Sequence, residues 1–297
     1  MPPKSRAAKA AVVADPAPVA EPTVGKTLFS AHFLDGYVIR RLIEYKKVCC
    51  SSGTLMLGEA HIRPQSRNHS NPSAASVFHD ILLFAHKIGN YQFSPATPDI
   101  DLLVVHYLLG EMGQSLADVR KKMPATISHL DGETQMRVTQ RQGSRDPDYV
   151  SIQNTDDEPS DPPDVPVPEH QPNLTLSVAT FCAVCAKFIQ RKSKFVKVTM
   201  FPHRMHWAGY IDETRTVKEY TFENEGASVD PNEGPGEMFV FPRKFVAMLG
   251  KIAQVPAEKS KATIRIYHAP GSPIKVSFDV GSIGVCNTYL RDTLARS

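Results

Sequence analysis

A run of seventeen residues, 156–172, constrains the fold of this chain more than any other stretch, because it contains six prolines. Proline lacks a backbone donor and fixes φ, so neither a helix nor a central strand can pass through the run. The run also carries six acidic residues. The sequence therefore predicts an extended acidic connector between two units of similar length, residues 27–155 and 173–297. A tail of residues 1–26, basic and rich in alanine and proline, precedes them and is expected to be disordered.

The composition provides ample material for packed cores. Of the 297 residues, 41% are hydrophobic, and no apolar run approaches the roughly 18 to 20 residues that span a bilayer. Five cysteines, an odd number, favour reduced thiols inside a cell over a disulfide framework. A net charge of +3 does not by itself indicate nucleic-acid binding. Whether the chain binds nucleic acid therefore depends on whether its cations are gathered on particular faces.

The two units repeat one order of elements. Each begins with a strand that leads into an amphipathic helix and a pair of antiparallel strands, and each then adds a second helix with a second pair. The predicted helices are 37–47, 110–121, 181–192 and one that Pro242 opens at its first position. The chain is therefore predicted to be an α+β pseudo-repeat, with four copies of one helix-plus-hairpin unit.

Local signals predict details of these units. Thr180 is expected to cap the third helix, whose apolar stripe is the clearest in the chain and consists of Phe181, Val184, Cys185, Phe188 and Ile189. Residues 48–50 and 54–57 are expected to pair as a hairpin. Between the first two helices, residues 63–75 are expected to form a loop and residues 77–85 a buried strand.

The four predicted helices also share an exposed face that is rich in lysine and arginine and poor in acids. For one helix a solvated charged face is the simpler interpretation, but four such faces favour contact with phosphate oxygens, which holds nucleic acid without reading its sequence. The candidate DNA-binding residues are Arg40, Arg41, Lys47, Lys121, Lys122, Lys187, Arg191, Lys192, Lys194, Arg243, Lys244 and Lys251.

Segments near both ends of the chain resemble one protein family. Residues 33–44, Phe-Leu-Asp-Gly-Tyr-Val-Ile-Arg-Arg-Leu-Ile-Glu, resemble the first helix of the eukaryotic-type DNA sliding clamp, proliferating cell nuclear antigen, including its paired cations. Residues 272–281 resemble the closing strands of that family, and Tyr289-Leu290 matches a tyrosine-leucine pair near its C-terminus. The similarity extends from about residue 28 to Asp292 and includes the order of the four units.

The resemblance implies a two-domain clamp fold, commonly trimeric, with the helices inside around a central hole and the sheets outside. The positions that match the family's DNA-facing cations are Arg40, Arg41, Lys47, Arg243 and Lys251. The implied partners are double-stranded DNA, a DNA polymerase and other replication and repair proteins that dock through short peptides, with a clamp loader as a further candidate. The residues implied to bind such peptides are Val165, Val167, Pro256, Tyr289 and Leu290.

The sequence departs from the family pattern at two of its landmarks. Residues 57–60, Leu-Gly-Glu-Ala, stand where the family has a Gln-x-Met-Asp-like run, and Arg291-Asp292 replaces an Ala-Pro pair. The connector is also richer in proline and acids than is usual, as would suit a divergent, viral relative. The expected function is that of a DNA polymerase processivity factor, a homotrimer without enzymatic activity, cofactor or metal. It is expected to act in the nucleus or at a site of viral DNA replication.

Three alternatives to this function remain open. Within the same fold, the chain could be a checkpoint-clamp subunit or a herpesvirus-type factor that works as a monomer or dimer. Outside it, a zinc-stabilised nucleic-acid-binding protein could use Cys182 and Cys185 with His203 and His206, although both cysteines fall on the apolar stripe of a helix. An enzyme is disfavoured because the chain lacks the Walker, G-x-G-x-x-G, H-E-x-x-H and G-x-S-x-G motifs.

Overall fold

The computed structural model describes residues 25–68, 75–95, 101–140, 146–154, 160–224, 234–256, 258 and 260–292. The strands are β1 (Thr27–Phe33), β2 (Ser52–Gly58), β3 (His61–Arg67), β4 (Ser76–Phe84), β5 (Gly89–Phe93), β6 (Leu102–Leu108), β7 (Ala125–Leu130), β8 (Gln135–Thr139), β9 (Asp148–Asn154), β10 (Leu174–Ser177), β11 (Phe195–Met200), β12 (Arg204–Tyr210), β13 (Thr216–Glu223), β14 (Glu237–Pro242), β15 (Thr263–Tyr267), β16 (Ile274–Val280) and β17 (Gly284–Arg291). The helices are α1 (Gly36–Lys46), α2 (Leu109–Ser115), α3 (Val178–Gln190) and α4 (Arg243–Leu249), and short 3-10 turns cover Ala85–Lys87 and Ile252–Gln254.

Each helix is followed by two strands that pair with each other. The pairs are β2 with β3, β7 with β8, β11 with β12, and β15 with β16, and every one is antiparallel. The predicted order of four helix-plus-hairpin units is therefore confirmed. It arises because each amphipathic helix buries one stripe and each strand pair supplies a surface on which that stripe can pack.

The strands form two sheets within the described residues. One has thirteen strands in the order β10-β15-β16-β17-β4-β3-β2-β6-β9-β8-β7-β1-β5, and the other has four in the order β13-β12-β11-β14. The large sheet crosses from the C-terminal half of the chain to the N-terminal half where β17 pairs with β4, from Gly284 opposite Leu83 to Arg291 opposite Ser76. A continuous ladder of backbone hydrogen bonds therefore holds the two halves together.

The four helices lie side by side in one row. Helix α2 contacts α1, α1 contacts α4, and α4 contacts α3, so the row crosses the same junction as the large sheet. Tyr45 of α1 packs edge-on against His79 of β4 and Phe278 of β16, at 5.1 and 5.4 Å between ring centroids. In the C-terminal half, Phe181 of α3 lies 5.4 Å from Trp207 of β12. The core is therefore the layer between the helix row and the sheets.

The predicted apolar stripes of the helices are confirmed. In α1 the stripe residues Val38, Ile39, Leu42 and Ile43 are buried, and in α3 the core residues Phe181, Val184, Cys185 and Phe188 are buried while Ile189 is half-buried. The inward residues predicted for the second and fourth helices are also buried, namely Met112, Leu116, Val119, Phe245, Met248, Leu249 and Ile252. Helical periodicity therefore identified the buried residues, although Leu116, Val119 and Ile252 lie just beyond the ends of α2 and α4.

Two predictions for the N-terminal half are wrong. Residues 48–50 do not pair with residues 54–57; they form a turn, and β2 pairs with β3 on one side and β6 on the other. Residues 63–67, expected to be a loop, belong to β3, while the part of that loop at residues 69–74 lies outside the described residues. Both errors have one cause, because strand pairing joins segments that are distant in sequence and leaves little local signal.

Three predicted helix boundaries are also wrong. Helix α2 ends at Ser115 rather than near residue 121, since Gly113 and Ser115 are poor helix formers and the chain turns after them. Helix α3 begins at Val178 with Ser177 at its N-cap, so Thr180 lies inside the helix. Pro242 ends β14 and occupies the N-cap of α4 rather than its first helical position.

The connector forms no regular element where the structure describes it, and it turns at residues 168–171, where Gln171 N–H donates to the Pro168 carbonyl at 2.9 Å. Residues 160–172 contain no helix and no strand, as the prolines predict. Residues 156–159 and the predicted tail, residues 1–24, lie outside the described residues. None of the helices in the described ranges is long and apolar enough to cross a membrane.

Candidate nucleic-acid interface

Helix α1 carries two arginines on the face that points away from its buried stripe. Arg40 Nε donates to Glu44 Oε1 at 2.8 Å, and Arg41 Nη1 donates to Glu44 Oε2 at 2.5 Å. Arg40 also donates to the Val119 carbonyl at 3.0 Å, and Arg41 lies over the ring of Tyr37 and bonds its hydroxyl. Both guanidinium groups are therefore held in place, with about a quarter of each side chain exposed.

Glu44 is the acid that holds this pair. Its burial favours the neutral form, but the hydrogen bonds from Arg40 and Arg41 favour the carboxylate more strongly, so the pKa of Glu44 is lowered. The carboxylate therefore stays ionised and partly neutralises both arginines. This arrangement fixes the positions of the two guanidinium groups on the helix face and reduces the net positive charge of that face.

Lys47 and Lys251 lie at the ends of neighbouring helices in the row. Lys47 is the exposed C-cap of α1, and its side chain crosses Gly113 of α2, where an added Cβ would be 3.2 Å from Lys47 Cδ. Lys251 follows α4 and donates to the carbonyl of Glu44 at 3.4 Å. Cations at the carbonyl end of a helix also complement its dipole, so these two lysines stabilise the row as well as adding charge to it.

The exposed faces of α3 and α4 carry cations and no acids. Lys187, Arg191, Arg243 and Lys244 are all exposed. Arg243 Nη2 donates to the carbonyl of Ile189 at 3.1 Å, which connects the start of α4 to the last turn of α3. Because neither helix contains an aspartate or a glutamate, the charge of these side chains is not neutralised within their own helices.

Several candidate cations lie in turns rather than on helices. Lys121 and Lys122 follow the shortened α2, and Lys192 and Lys194 follow α3; all four are exposed. Lys122 and Lys192 adopt φ values of 65° and 58°, an uncommon conformation for a side chain with a Cβ. The Lys122 backbone N–H donates to Asp35 Oδ1 at 3.1 Å, and the same carboxylate oxygen accepts from Tyr37 N–H at the start of α1. The turn is thereby fixed beside the helix row.

One basic residue of α1 is not available to any ligand outside the protein. Lys46 is fully buried, and its Nζ donates to the Gln65 carbonyl at 3.3 Å and to the Tyr107 hydroxyl at 3.2 Å. Sequence reasoning did not identify this burial, because Lys46 and Lys47 are adjacent and only the packing of α1 on β3 and β6 distinguishes them. Helical spacing offers a partial signal, since Lys46 lies three residues after the buried Ile43 and four after the buried Leu42, whereas Lys47 lies four residues after Ile43 but five after Leu42.

Of the five residues expected to bind peptides, the two adjacent ones, Tyr289 and Leu290, lie on opposite faces of one strand. Tyr289 lies on the outer face of β17, whereas its neighbour Leu290 is 2% exposed and belongs to the core on the helix side, because successive residues of a strand point to opposite faces. Pro256 comes two residues after the turn Ile252–Gln254, which packs against α1 and α3. Val165 and Val167 are half-buried in the connector, where Val167 N–H donates to the Val165 carbonyl at 2.7 Å.

The candidate zinc ligands are not brought together. Cys182 and Cys185 are buried on the core side of α3, and burial raises the pKa of the Cys185 thiol well above its usual value. His203 is exposed in the turn before β12, and His206 bonds Thr221 on β13 at 3.1 Å. In the part of the chain that the structure describes, no group of three or more His, Cys, Asp or Glu side chains is arranged to hold a metal ion.

Comparison with known proteins finds relatives in structure but not in sequence. No protein-family model and no curated protein matches the chain. Among solved structures, it is similar to proliferating cellular nuclear antigen (PCNA) from Entamoeba histolytica, with a TM-score of 0.65 and 14% identity over 89% of this chain and 98% of the other. It is also similar to the PCNA2–PCNA3 complex from Sulfolobus tokodaii, with a TM-score of 0.65 and 12% identity over 88% of this chain and 98% of the other. At these identities the likeness establishes a shared fold.

Proposed function

We propose that this chain, which has the fold of the PCNA sliding clamps, is a DNA polymerase processivity factor that encircles duplex DNA without reading its sequence. The observation that carries this proposal is the single row of four helices, in which α1, α3 and α4 carry cations on the exposed side, while α2 has none of its own and is followed by Lys121 and Lys122 in a turn. The two acids of the row are both occupied: Glu44 is paired with arginines, and Glu111 accepts the backbone N–H of Ser151 at 2.9 Å. Flexible lysine and arginine side chains that are not accompanied by amide or aromatic side chains able to recognise bases are suited to contact with phosphate oxygens.

In this proposal the helix row lines the inside of a ring and the sheets form its outer wall. Residues 27–155 and 173–297 would act as two pseudo-equivalent domains joined by the connector 156–172, after the tail 1–26. A ring holds DNA by topology, so the individual phosphate contacts can remain weak and mobile. The chain would then work as a platform rather than as an enzyme, in the nucleus or at a site of viral DNA replication.

The internal repeat supports a homotrimeric, head-to-tail ring. Strand β17 is the third strand after α4 and pairs with β4, the third strand after α1. The equivalent strands in the other units are β9, the third after α2, and β13, the third after α3 and an edge of its sheet. Strand β9 already pairs with β8 through residues 148–151 and with β6 through residues 152–154, so only the edge of residues 148–151 opposite β8 remains for another chain. If that edge pairs with β13 of the next chain as β17 pairs with β4, the contact is heterologous, and such contacts close into rings after a fixed rotation.

The helix row can be tested with a charge-reversal variant of α3, in which Lys187→Glu and Arg191→Glu are combined. If both side chains contact phosphate, the variant should bind duplex DNA more weakly, and the slope of log affinity against log salt should become shallower by about two, close to one per lost contact. Binding would be measured by fluorescence anisotropy at several salt concentrations. The matched control is the double variant Lys87→Glu and Lys261→Glu, two exposed lysines outside the four helices and outside β13.

Encirclement itself needs a separate measurement. A ring should remain on linear DNA whose ends are blocked after binding and should slide off the same DNA when its ends are free. Retention would be measured by gel filtration of labelled protein with each DNA. Equal retention on both, or an affinity lost equally in the helix variant and in the matched control, would overturn the proposal.

A further inference from the structure

The four-stranded sheet has one face that packs against α3 and α4 and one face that does not. On the first face, residues such as Val196, Val198 and Phe239 belong to the core. Successive residues of a strand point to opposite faces, so the residues between these lie on the second face, which is called the outer face. On β11 and β14 these outer residues are half-buried or exposed, and none belongs to the core: Phe195, Lys197, Thr199, Met238, Val240 and Pro242.

Aromatic rings on the outer face are paired with cations. Phe195 and Tyr210 lie opposite each other, and their rings stack in parallel with centroids 5.4 Å apart. Lys197 Nζ lies 4.7 Å from the centre of the Tyr210 ring. At the other end of β11, the guanidinium group of Arg204 lies 4.2 Å from the centre of the Phe201 ring. These five residues are called the stacking strip, and six strand residues give it a length of about 20 Å.

The charge around the strip is positive. Strand β11 contains no acid, and the one acid of β14 is Glu237. Glu237 lies opposite the buried Met200, so it points away from the outer face, and its carboxylate bonds His268 at 3.1 Å. The other acids of the sheet, Glu219 and Glu223, are on β13 at its far edge. The half of the outer face formed by β11 and β14 therefore attracts anions.

The strip begins where the cations of the helix row end. Lys194 directly precedes Phe195, and Arg243 directly follows Pro242; both cations are exposed. The backbone N–H of Arg243 donates to the Lys194 carbonyl at 3.0 Å, and the N–H of Lys194 donates to the Tyr210 carbonyl at 2.7 Å. The positive surface thus continues from the ends of α3 and α4 onto the outer face of the sheet.

Lys197 is held by its ring contact. Among the residues that the structure describes, its ammonium makes no hydrogen bond or ion pair, and a cation–π contact outside the protein interior is weak. The ammonium can therefore move from the ring to a phosphate oxygen and leave the ring open to a base. Proteins that bind single strands combine cations along the backbone with rings on which bases stack. In a duplex, by contrast, the bases are already stacked on one another.

We propose that the stacking strip is a binding site for single-stranded nucleic acid. Bases stack on the Phe195–Tyr210 pair and on Phe201, while Lys197 and Lys194 contact phosphate oxygens. The length of the strip suits roughly four nucleotides. This site lies outside the helix row and goes beyond the proposed encirclement of duplex DNA. That it holds a strand separated from the encircled duplex rests on the proposed function, whereas the binding of a single strand rests on the strip alone.

The test uses the full chain with Lys187→Glu and Arg191→Glu, so that the helix row contributes little, and a labelled oligothymidylate of about twelve nucleotides. Fluorescence anisotropy should show that adding Phe195→Leu weakens binding about fivefold or more, because a stacking surface is lost. Adding Lys197→Gln should make the slope of log affinity against log salt shallower by about 0.7, the value for one phosphate contact of a single strand. The matched controls are Phe84→Leu and Lys87→Gln, a ring and a lysine that are paired in the same way 4.9 Å apart on another part of the chain.

A second measurement needs no substitution in the strip. An oligonucleotide that carries 5-iododeoxyuridine should, on irradiation, form crosslinks that mass spectrometry assigns to Phe195, Tyr210 or Phe201. This measurement decides the matter if Phe195→Leu does not fold. Crosslinks only to residues outside the strip would overturn the proposal.

Two further results would also overturn the proposal. One is equal affinity of Phe195→Leu and Phe84→Leu for the oligothymidylate. The other is displacement of the oligothymidylate by polyglutamate at equal charge concentration, which would mark the outer face as a surface for an acidic protein. The clamp proposal is judged separately by duplex retention, which Phe195→Leu should leave unchanged. Binding of single strands without duplex retention would overturn the clamp alone, and duplex retention without binding of single strands would overturn the strip alone.

Discussion

At the scale of single residues, burial changes the chemistry of side chains that the sequence presents as ordinary. His79 is fully buried on β4, where Nδ1 bonds the Thr288 hydroxyl at 3.0 Å and the same hydroxyl bonds Tyr45 at 2.8 Å. Burial, with the nearby charge of Lys46, lowers the pKa of His79 to about 3. This chain of contacts joins α1 to both strands of the junction between the two halves.

His79 is therefore predicted to make the fold sensitive to acid. Between pH 6.5 and about 3 the unfolded state binds a proton at His79 that the folded state does not bind. The free energy of unfolding should consequently fall as the pH drops below 6.5, by about 1.4 kcal/mol per pH unit from this group. Above pH 6.5 its contribution should be constant. Urea unfolding at a series of pH values measures this slope.

A pair of variants isolates the contribution of His79. His79→Gln should flatten the slope below pH 6.5, whereas His170→Gln, which changes an exposed histidine of the connector, should leave it as it is. The Gln side chain can still bond Thr288, so loss of the hydrogen bond is not confounded with loss of titration. An unchanged slope in His79→Gln would show that other groups control the acid response.

At the scale of elements, the helix row combines a packing role with a charge role. The buried stripes fix the direction of each exposed face, and the neighbouring helix ends are joined by side chains such as Lys251 and Arg243 that donate to carbonyls of α1 and α3. Helix α1 differs from α3 and α4 because it contains its own acid. Glu44 thus limits the positive charge of α1 while it orders the arginines.

Glu44→Gln should therefore strengthen the association of the chain with DNA. The substitution removes a negative charge from the exposed face and releases Arg40 and Arg41 from an ion pair worth less than about 1 kcal/mol, which corresponds to a gain of about two- to fivefold in affinity at low salt. Anisotropy with duplex DNA measures the gain, and added salt should diminish it. Glu59→Gln, in the exposed turn between β2 and β3, is the control. Weaker binding by Glu44→Gln would mean that ordering the arginines matters more than their net charge.

At the scale of the whole molecule, the internal repeat predicts how copies of the chain assemble. The strand pair β17–β4 closes the junction inside the chain, and the proposed β9–β13 pair repeats it between chains. Tyr149 on β9 is a large side chain that is 49% exposed. An exposed aromatic residue at the centre of a proposed contact is the kind of residue that dominates binding energy.

Tyr149→Arg is accordingly predicted to reduce the mass in solution from three times the 32.8 kDa chain to that of a single chain. Light scattering coupled to gel filtration measures this change. Met238→Arg changes another exposed apolar residue, 53% exposed on β14, and should leave the assembly intact. A single-chain mass for the unmodified protein would rule out the homotrimer and favour the monomeric herpesvirus-type alternative.

The sequence by itself determined the units of this fold, because helical periodicity and proline are local signals. The buried stripes of the helices, the connector and the order of the four units could be predicted from residue types and spacing, whereas the first hairpin was placed at the wrong residues. Most of the exposed cations could be identified in the same way, since an exposed face is the complement of a buried one. The predicted boundaries of the elements were wrong where long-range packing overrode the local preference of the chain, as at β3 and at the end of α2.

Only the tertiary structure decided which residues of those units meet. It buried Lys46 while leaving Lys47 exposed, and it placed Tyr289 and Leu290 on opposite faces of one strand. It also aligned strands from both halves, so that Tyr289 of β17 lies opposite Phe78 of β4 on one side and Lys275 of β16 on the other. The physical reason is that long-range strand register and helix packing depend on the fit of distant surfaces, which no local pattern of residues records.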